Sequence, residues 1–327
     1  MIRIAFDSRD AEADRPGGWG RYALELSGAL RASGDVELLA MAAGWPGPEV
    51  LWEQVGLPLR LRRLRPDVLH APNCFLPTLR PCPGVVTIHD LAFEVFPEDF
   101  SRQTGAKFRW ATPRSARSAE RVICGSAFTR DDVCSRYGID PGKVRVVPHA
   151  PSLPVGTVPV PAGDPYVLGI GDLRAKKNWG RLAAAWRQAG TGRRLVIAGS
   201  DAGEGAALRA AGAEVTGYLP DAELDALLRG ADLLVHPSLY EGFGLVVVEA
   251  QARGVPVAAA RGTSLPEAGG DGAVYFDPLD VDAIAAAMHE ALARGEELGE
   301  AGRRHAAGFS WERAARETAA VYAEAAA

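Results

Sequence analysis

Glu241 and Glu249 stand eight positions apart, flanking a Gly242-Phe243-Gly244 turn that leads into Leu245. Carboxylates accept hydrogen bonds from hydroxyl groups, and a glycine turn lets main chain approach a ligand closely. The first turn of a helix beginning near Leu245 would offer N–H groups to an anion, with Glu249 about one turn further in. One acid on sugar hydroxyls, one on a ribose and amides on a diphosphate would make a nucleotide-sugar site. Taken singly, either glutamate has an ordinary structural reading, because an acid near a helix N-terminus is stabilising without any function. The pair around the turn is what points to a ligand.

Three further segments carry residues of the right kind. Gly169-Ile170-Gly171-Asp172-Leu173-Arg174-Ala175-Lys176-Lys177-Asn178 lacks the third glycine of a dinucleotide fingerprint, since Arg174 stands in its place. Its lysines suit the growing negative charge of a diphosphate leaving group. His89-Asp90 ends the strand-like run Val85-Val86-Thr87-Ile88; a histidine there can hydrogen-bond a hydroxyl or manage a proton, or serve only structure. Gly17-Gly18-Trp19-Gly20, inside the Asp7–Tyr22 segment, is not a dinucleotide fingerprint either. It reads as a strand-to-helix loop whose amides, Gly18 among them, face a phosphate or an acceptor. No Walker motif occurs, and Asp131-Asp132 reads as the acidic opening of a helix, not as a metal ligand.

These residues need rigid elements to hold them, and the chain alternates strand-like and helical runs throughout, the pattern of parallel α/β sheets. Strands are predicted at Ile2–Asp7, Val36–Ala42, Val68–Ala71, Val85–His89, Arg121–Gly125 and Val144–Pro148. A second set is predicted at Tyr166–Ile170, Arg194–Ala198, Glu214–Thr216, Leu233–His236, Val255–Ala260 and Ala273–Phe276. Residues 151–165 are too rich in proline and glycine for helix or central strand and read as a linker. The expected fold class is α/β, with two Rossmann-like, doubly wound parallel-sheet domains facing across a cleft. The first covers residues 1–150 and the second 166–308. A last helix within residues 309–327, with Ser310 as N-cap, either closes the second domain or returns to the first.

Of 327 residues, 47% are hydrophobic, and no apolar run is long enough to span a bilayer. Cys74, Cys82, Cys124 and Cys134 show neither Cys-x-x-Cys pairing nor metal-ligand spacing, which suits reduced thiols and a cytoplasmic location. Residues 1–150 hold 20 Lys+Arg against 18 Asp+Glu, and the remainder 16 against 23. The overall charge of −5 and the lack of a recognised motif argue against nucleic acid. The basic excess gathers at Arg60, Arg62, Arg63 and Arg65 and at Arg102, Lys107, Arg109, Arg114, Arg117 and Arg121. Such residues either solvate helix faces or draw the protein to a phosphorylated acceptor or an anionic membrane surface, a peripheral contact with the inner face.

The whole set resembles the retaining glycosyltransferases of family 4, which have the GT-B fold. The matching residues are His236-Pro237-Ser238-x-x-Glu241-Gly242-Phe243-Gly244-Leu245 with Glu249, then Gly254-Val255-Pro256-Val257 and Ser264-Leu265-Pro266-Glu267. Lys177-Asn178, Thr87–Leu91, Gly18–Tyr22 and Val146-Val147-Pro148 extend the similarity over nearly the whole chain. The resemblance implies transfer of a sugar from an NDP-sugar to a hydroxyl acceptor on an envelope glycan, lipid or natural product. It implies retention of configuration, no metal, and no cofactor beyond the nucleotide-sugar co-substrate. Glu241 would hold donor-sugar hydroxyls, the Gly242, Phe243, Gly244 and Leu245 amides and Lys177 the diphosphate, Glu249 the ribose, and His89 the sugar from the other domain. Many relatives have an arginine directly after the glycine equivalent to Gly171; here it is Asp172, which leaves Lys176 or Arg174 to supply that charge. A GT-B epimerase or phosphorylase, or a binding protein without catalysis, are the alternative readings.

Overall fold

The computed structural model describes residues 1–12, 17–42, 49–156, 158–160 and 163–327. Residues 13–16 of the Asp7–Tyr22 segment, and 157, 161 and 162 of the predicted linker, lie outside the described residues. The chain divides into two compact units: Met1–His149 with Ser310–Ala327, and Ala150–Phe309.

In the first unit β1 (Ile2–Phe6), β2 (Val36–Ala40), β3 (Val68–Ala71), β4 (Gly84–Ile88), β5 (Arg121–Cys124) and β6 (Val144–Val146) form one parallel sheet in the order β2-β1-β3-β4-β5-β6. The second unit holds β7 (Tyr166–Ile170), β8 (Arg194–Ala198), β9 (Glu214–Gly217), β10 (Leu233–His236), β11 (Val257–Ala260) and β12 (Ala273–Phe276), in the order β12-β11-β10-β7-β8-β9. Every pair is parallel. Short runs such as Leu195–Ala198 and Leu233–Val235 are buried on both faces, which is why they read as continuous apolar stretches and not as alternating ones. Strand order reverses between β1 and β3 in one sheet and between β7 and β10 in the other. Open α/β sheets bind ligands at that point, beyond the carboxyl ends of the strands.

The predicted strands all form, with ends that differ for local reasons. Val255 is excluded from β11: its N–H bonds the Ala250 carbonyl as the preceding helix ends, and Pro256 has no N–H to give the ladder. The sixth strand stops at Val146, two residues before Pro148. Asp131 and Asp132 do not open a helix. Ser126 caps it, accepting from the Thr129 N–H at 3.1 Å, so the helix Ala127–Tyr137 starts earlier and both aspartates fall in its second turn. There they pair with Arg130 and Arg136.

The helix Trp311–Ala326 starts behind Ser310, whose hydroxyl accepts from the Arg313 N–H at 3.1 Å. It packs within the first unit. The Tyr322 hydroxyl meets His70 Nδ1 at 2.6 Å, and Glu324 pairs with Arg121 and Arg145. Residues 152–156, by contrast, are fastened to the second unit. Glu249 accepts from the Ser152 and Leu153 N–H groups, and Asp225 from that of Gly156. Among the described residues, no helix is long and apolar enough to cross a membrane.

Candidate functional site

In the second unit, the loop after β7 carries Lys177 and the loop after β10 carries Glu241, so both emerge at the strand-order reversal. Lys177 Nζ donates to Glu241 Oε1 at 2.5 Å, with both side chains mostly buried. The lysine loop is rigidly held. Asn178, itself buried, adopts φ 61° and donates through Nδ2 to the Pro237 and Pro278 carbonyls at 3.1 and 2.7 Å. Trp179 Nε1 donates to the Asp172 carbonyl. Gly171 has φ 144°, and a Cβ there would meet Lys177 Cε at 3.0 Å, so the lysine stem lies against bare backbone. Arg174 lies 3.7 Å from Asp172, which follows Gly171 directly.

Glu241 is fixed from three sides. The Ser264 hydroxyl donates to its carbonyl at 2.9 Å, and His236 Nε2 lies 3.2 Å from Oε1. Burial alone would raise its pKa, but the Lys177 ammonium, the His236 hydrogen bond and the Lys176 charge hold the carboxyl well below its ordinary range. It is therefore an anion at neutral pH, suited to accept hydrogen bonds from hydroxyls. Gly242, Phe243 and Gly244 are buried, and the helix begins at the half-buried Leu245. Gly244 has φ 105°, and a Cβ would strike Leu265 Cδ2 at 2.7 Å, so the turn admits only glycine.

Glu249 has different partners. It is 3% exposed; Oε1 accepts from the Ser152 and Leu153 N–H groups at 2.6 and 3.0 Å, and Oε2 from Arg253 Nη1 at 2.7 Å. Arg253 in turn donates to the buried Asp225, which also binds Arg229. A carboxylate has about four lone-pair directions, and three are occupied by protein donors. The structure thus joins Lys177 to Glu241 and gives Glu249 a separate, chain-fastening set of contacts.

His89 and Gly18 belong to the first unit. Nε2 of the buried His89 lies 2.8 Å from the Pro72 carbonyl, which can only accept, so that nitrogen carries the proton and Nδ1 offers a lone pair. Burial pushes the ring's pKa down to about 4, against the opposing pull of Pro72 and Asp90. A neutral ring with Nδ1 open to accept suits a hydroxyl better than proton shuttling at pH 7. Trp19 stacks near the ring at 6.3 Å, while Tyr22 and His149 meet it edge-on at 4.8 and 5.4 Å. Gly18 opens the helix Gly18–Ser33 beside a cavity of about 180 Å³ lined by Asp10, Gly17, Gly18, Trp19 and Gly20. Asp10, held by Asn73 Nδ2 at 2.7 Å and raised in pKa by burial, makes that cavity better suited to hydroxyls than to phosphate.

Sequence reasoning gave no role to Asn178, His236, Arg253 or Asp225. The first two lie inside the motifs that were read, but only the fold shows what their side chains hold. The Glu249–Arg253 spacing of four was a visible signal for a helical ion pair.

Residues 157–305 match the family model for glycosyl transferases group 1, and residues 16–150 that for glycosyltransferase family 4. O-antigen chain mannosyltransferase B of Escherichia coli is 31% identical over 288 residues, covering 80% of this chain and 75% of that protein. Sucrose-phosphate synthase from Thermosynechococcus elongatus superposes with a TM-score of 0.75 at 24% identity, covering 99% of this chain and 98% of that one. Anabaena Alr3699/HepE in complex with UDP-glucose gives 0.71 at 17% identity, covering 98% of each chain. At these identities the structural likeness speaks for the GT-B fold.

Proposed function

We propose that this chain, which belongs to the group 1 glycosyltransferases, moves a sugar from an NDP-sugar to a hydroxyl acceptor with retention of configuration and without a divalent metal. The observation that carries this reading is the Lys177–Glu241 contact at the carboxyl ends of β7 and β10. It pairs a cation for the diphosphate with an anion for sugar hydroxyls. When donor binds, Lys177 moves from the carboxylate to the diphosphate and offsets the charge that grows as the glycosidic bond breaks. Glu241 then orients the sugar. Glu249 has one lone-pair direction left, on Oε2, for a ribose hydroxyl. His89, through Nδ1, accepts from a donor hydroxyl, and Gly18 contributes to binding the donor.

The acceptor attacks from the face the diphosphate leaves, and the departing phosphate oxygen takes the acceptor's proton, so no protein nucleophile is needed. Lys177 supplies the cation that a metal would otherwise provide, and positioning with electrostatics supplies the acceleration. The decisive experiment measures sugar transfer by Glu241→Ala and Lys177→Ala proteins that retain the native circular dichroism. Both should lose at least about 100-fold, and wild-type rates in both would refute the reading. Product formed without an added acceptor would instead indicate an epimerase.

Peripheral membrane contact forms part of the proposal. The helix Leu57–Leu64 exposes Leu59, Arg60, Arg62 and Arg63, next to exposed Val50, Leu51 and Val55. Apolar and cationic groups so mixed suit an anionic lipid surface. Co-sedimentation with phosphatidylglycerol vesicles, lost in an Arg60→Glu/Arg63→Glu protein, is the expected result.

A further inference from the structure

His236 closes β10 with its ring 1% exposed, and its two nitrogens have unequal surroundings. Nε2 lies 3.2 Å from Glu241 Oε1 and 3.3 Å from the hydroxyl of the fully buried Ser238. Nδ1 is buried and has no hydrogen-bond partner. An ionised carboxylate can only accept, so the short approach to Oε1 requires the proton on Nε2. The other tautomer would face one lone pair with another and bury an N–H donor unpaired. A doubly protonated ring would keep that orphan donor and add a desolvated cation near Lys177. Only the Nε2–H tautomer leaves the smaller defect, one unsatisfied acceptor lone pair.

Oε1 therefore has two partners, and they differ in what they can do next. Lys177 Nζ is on a long flexible stem and has a diphosphate to move to. The His236 ring is walled in and cannot follow. We infer that His236 is the positioning residue of Glu241: its Nε2–H keeps Oε1 in place after Lys177 has left, so that the remaining carboxylate lone pairs stay aimed at the donor sugar. This rests on the reading that Glu241 holds sugar hydroxyls and Lys177 the diphosphate. The division of labour is specific. Loss of the Nε2–H should harm sugar transfer without harming the grip on a nucleoside diphosphate that carries no sugar.

The test uses the full chain. In protein labelled with 15N-histidine, long-range proton–nitrogen correlation should show His236 with a protonated Nε2 and a bare Nδ1 throughout pH 6 to 8. An Nδ1–H or imidazolium signature overturns the inference even if no variant folds. His236→Leu should lower kcat/KM for transfer by roughly 100-fold, the penalty of a reacting group displaced by about 1 Å. Affinity for UDP, GDP or dTDP, whichever raises the melting temperature of wild type, should stay within about two-fold of wild type. His236→Gln, whose amide nitrogen can stand near Nε2, should recover most of the lost rate. Transfer at the wild-type rate by His236→Leu, or equal loss of nucleotide affinity and transfer, overturns it. Glu241→Gln separates the two levels. If that protein still transfers sugar, the underlying reading fails; if it is inactive while His236→Leu is not, only the present inference fails.

Discussion

Glu241 and Glu249 look alike in sequence but should fail differently when removed. Glu249→Ala strips the acceptor from the Ser152 and Leu153 N–H groups and one of two carboxylate partners from the buried Arg253. An orphaned donor costs about 1–3 kcal/mol, and breaking a buried ion pair about 3–5. Ser152 and Leu153 are only half-buried and Arg253 keeps Asp225, so the total should be about 3–5 kcal/mol. For a unit of this size that is on the order of 10 °C in Tm. Glu241→Ala frees a lysine with some access to solvent and one histidine N–H, a loss of about 1–2 kcal/mol. Calorimetry of the second unit's transition, backed by urea midpoints, separates the two. Glu249→Gln, which keeps an acceptor for the two amides but sets an NH2 donor against Arg253 where Oε2 accepted, should fall between them. A Glu249→Ala protein melting within about 2 °C of wild type, or below it by less than Glu241→Ala does, would show that the carboxylate does not fasten residues 152 and 153.

Other outcomes follow from the same geometry. Burial holds His70 to a pKa of about 3 and His89 to about 4, below the unfolded value near 6.5. Between those values the unfolded chain binds protons that the native ring refuses. The stability these rings contribute is thus complete above pH 6.5 and declines as pH falls towards 4 and then 3, by up to about 1.4 kcal/mol per pH unit for each. Urea midpoints of the first unit at pH 7 and 5 measure this, and His70→Asn should shrink the difference; an unchanged difference contradicts it. Tyr322→Phe orphans His70 Nδ1 and should cost about 1–3 kcal/mol, with faster amide exchange in the helix Trp311–Ala326 as its signature. Transfer should proceed at an undiminished rate in excess EDTA; a loss restored by Mg²⁺ or Mn²⁺ would refute metal independence.

The sheets were legible because both-face burial leaves unbroken apolar runs such as Leu195–Ala198 and Val257–Ala260, and prolines mark where they cannot continue. The Glu241 turn was legible for a related reason, since Gly244 answers a backbone demand that only one residue type meets. Contacts between distant segments were not. Nothing near Glu249 announces Ser152, almost a hundred residues earlier, and His70 finds Tyr322 across 252 positions. The histidine tautomers were equally hidden, because each is dictated by one carbonyl or carboxylate that the fold delivers. Asp131 and Asp132 misled because acidic residues are common in early helical turns, whereas Ser126 alone fixes where the helix starts.

On the proposed function, the Lys177–Glu241 pair means that the protein without donor already carries a substitute for it: the carboxylate occupies the lysine, and the lysine occupies the carboxylate. Donor uptake would then be a swap of partners, favourable only when a molecule satisfies both at once. A spent nucleoside diphosphate satisfies the lysine alone and must compete with Glu241 to stay, so the enzyme should eject its own product. On this reasoning Glu241→Gln should bind the nucleoside diphosphate more tightly than wild type does and be the more strongly inhibited by it. Equal affinity in a titration of the two would remove the argument.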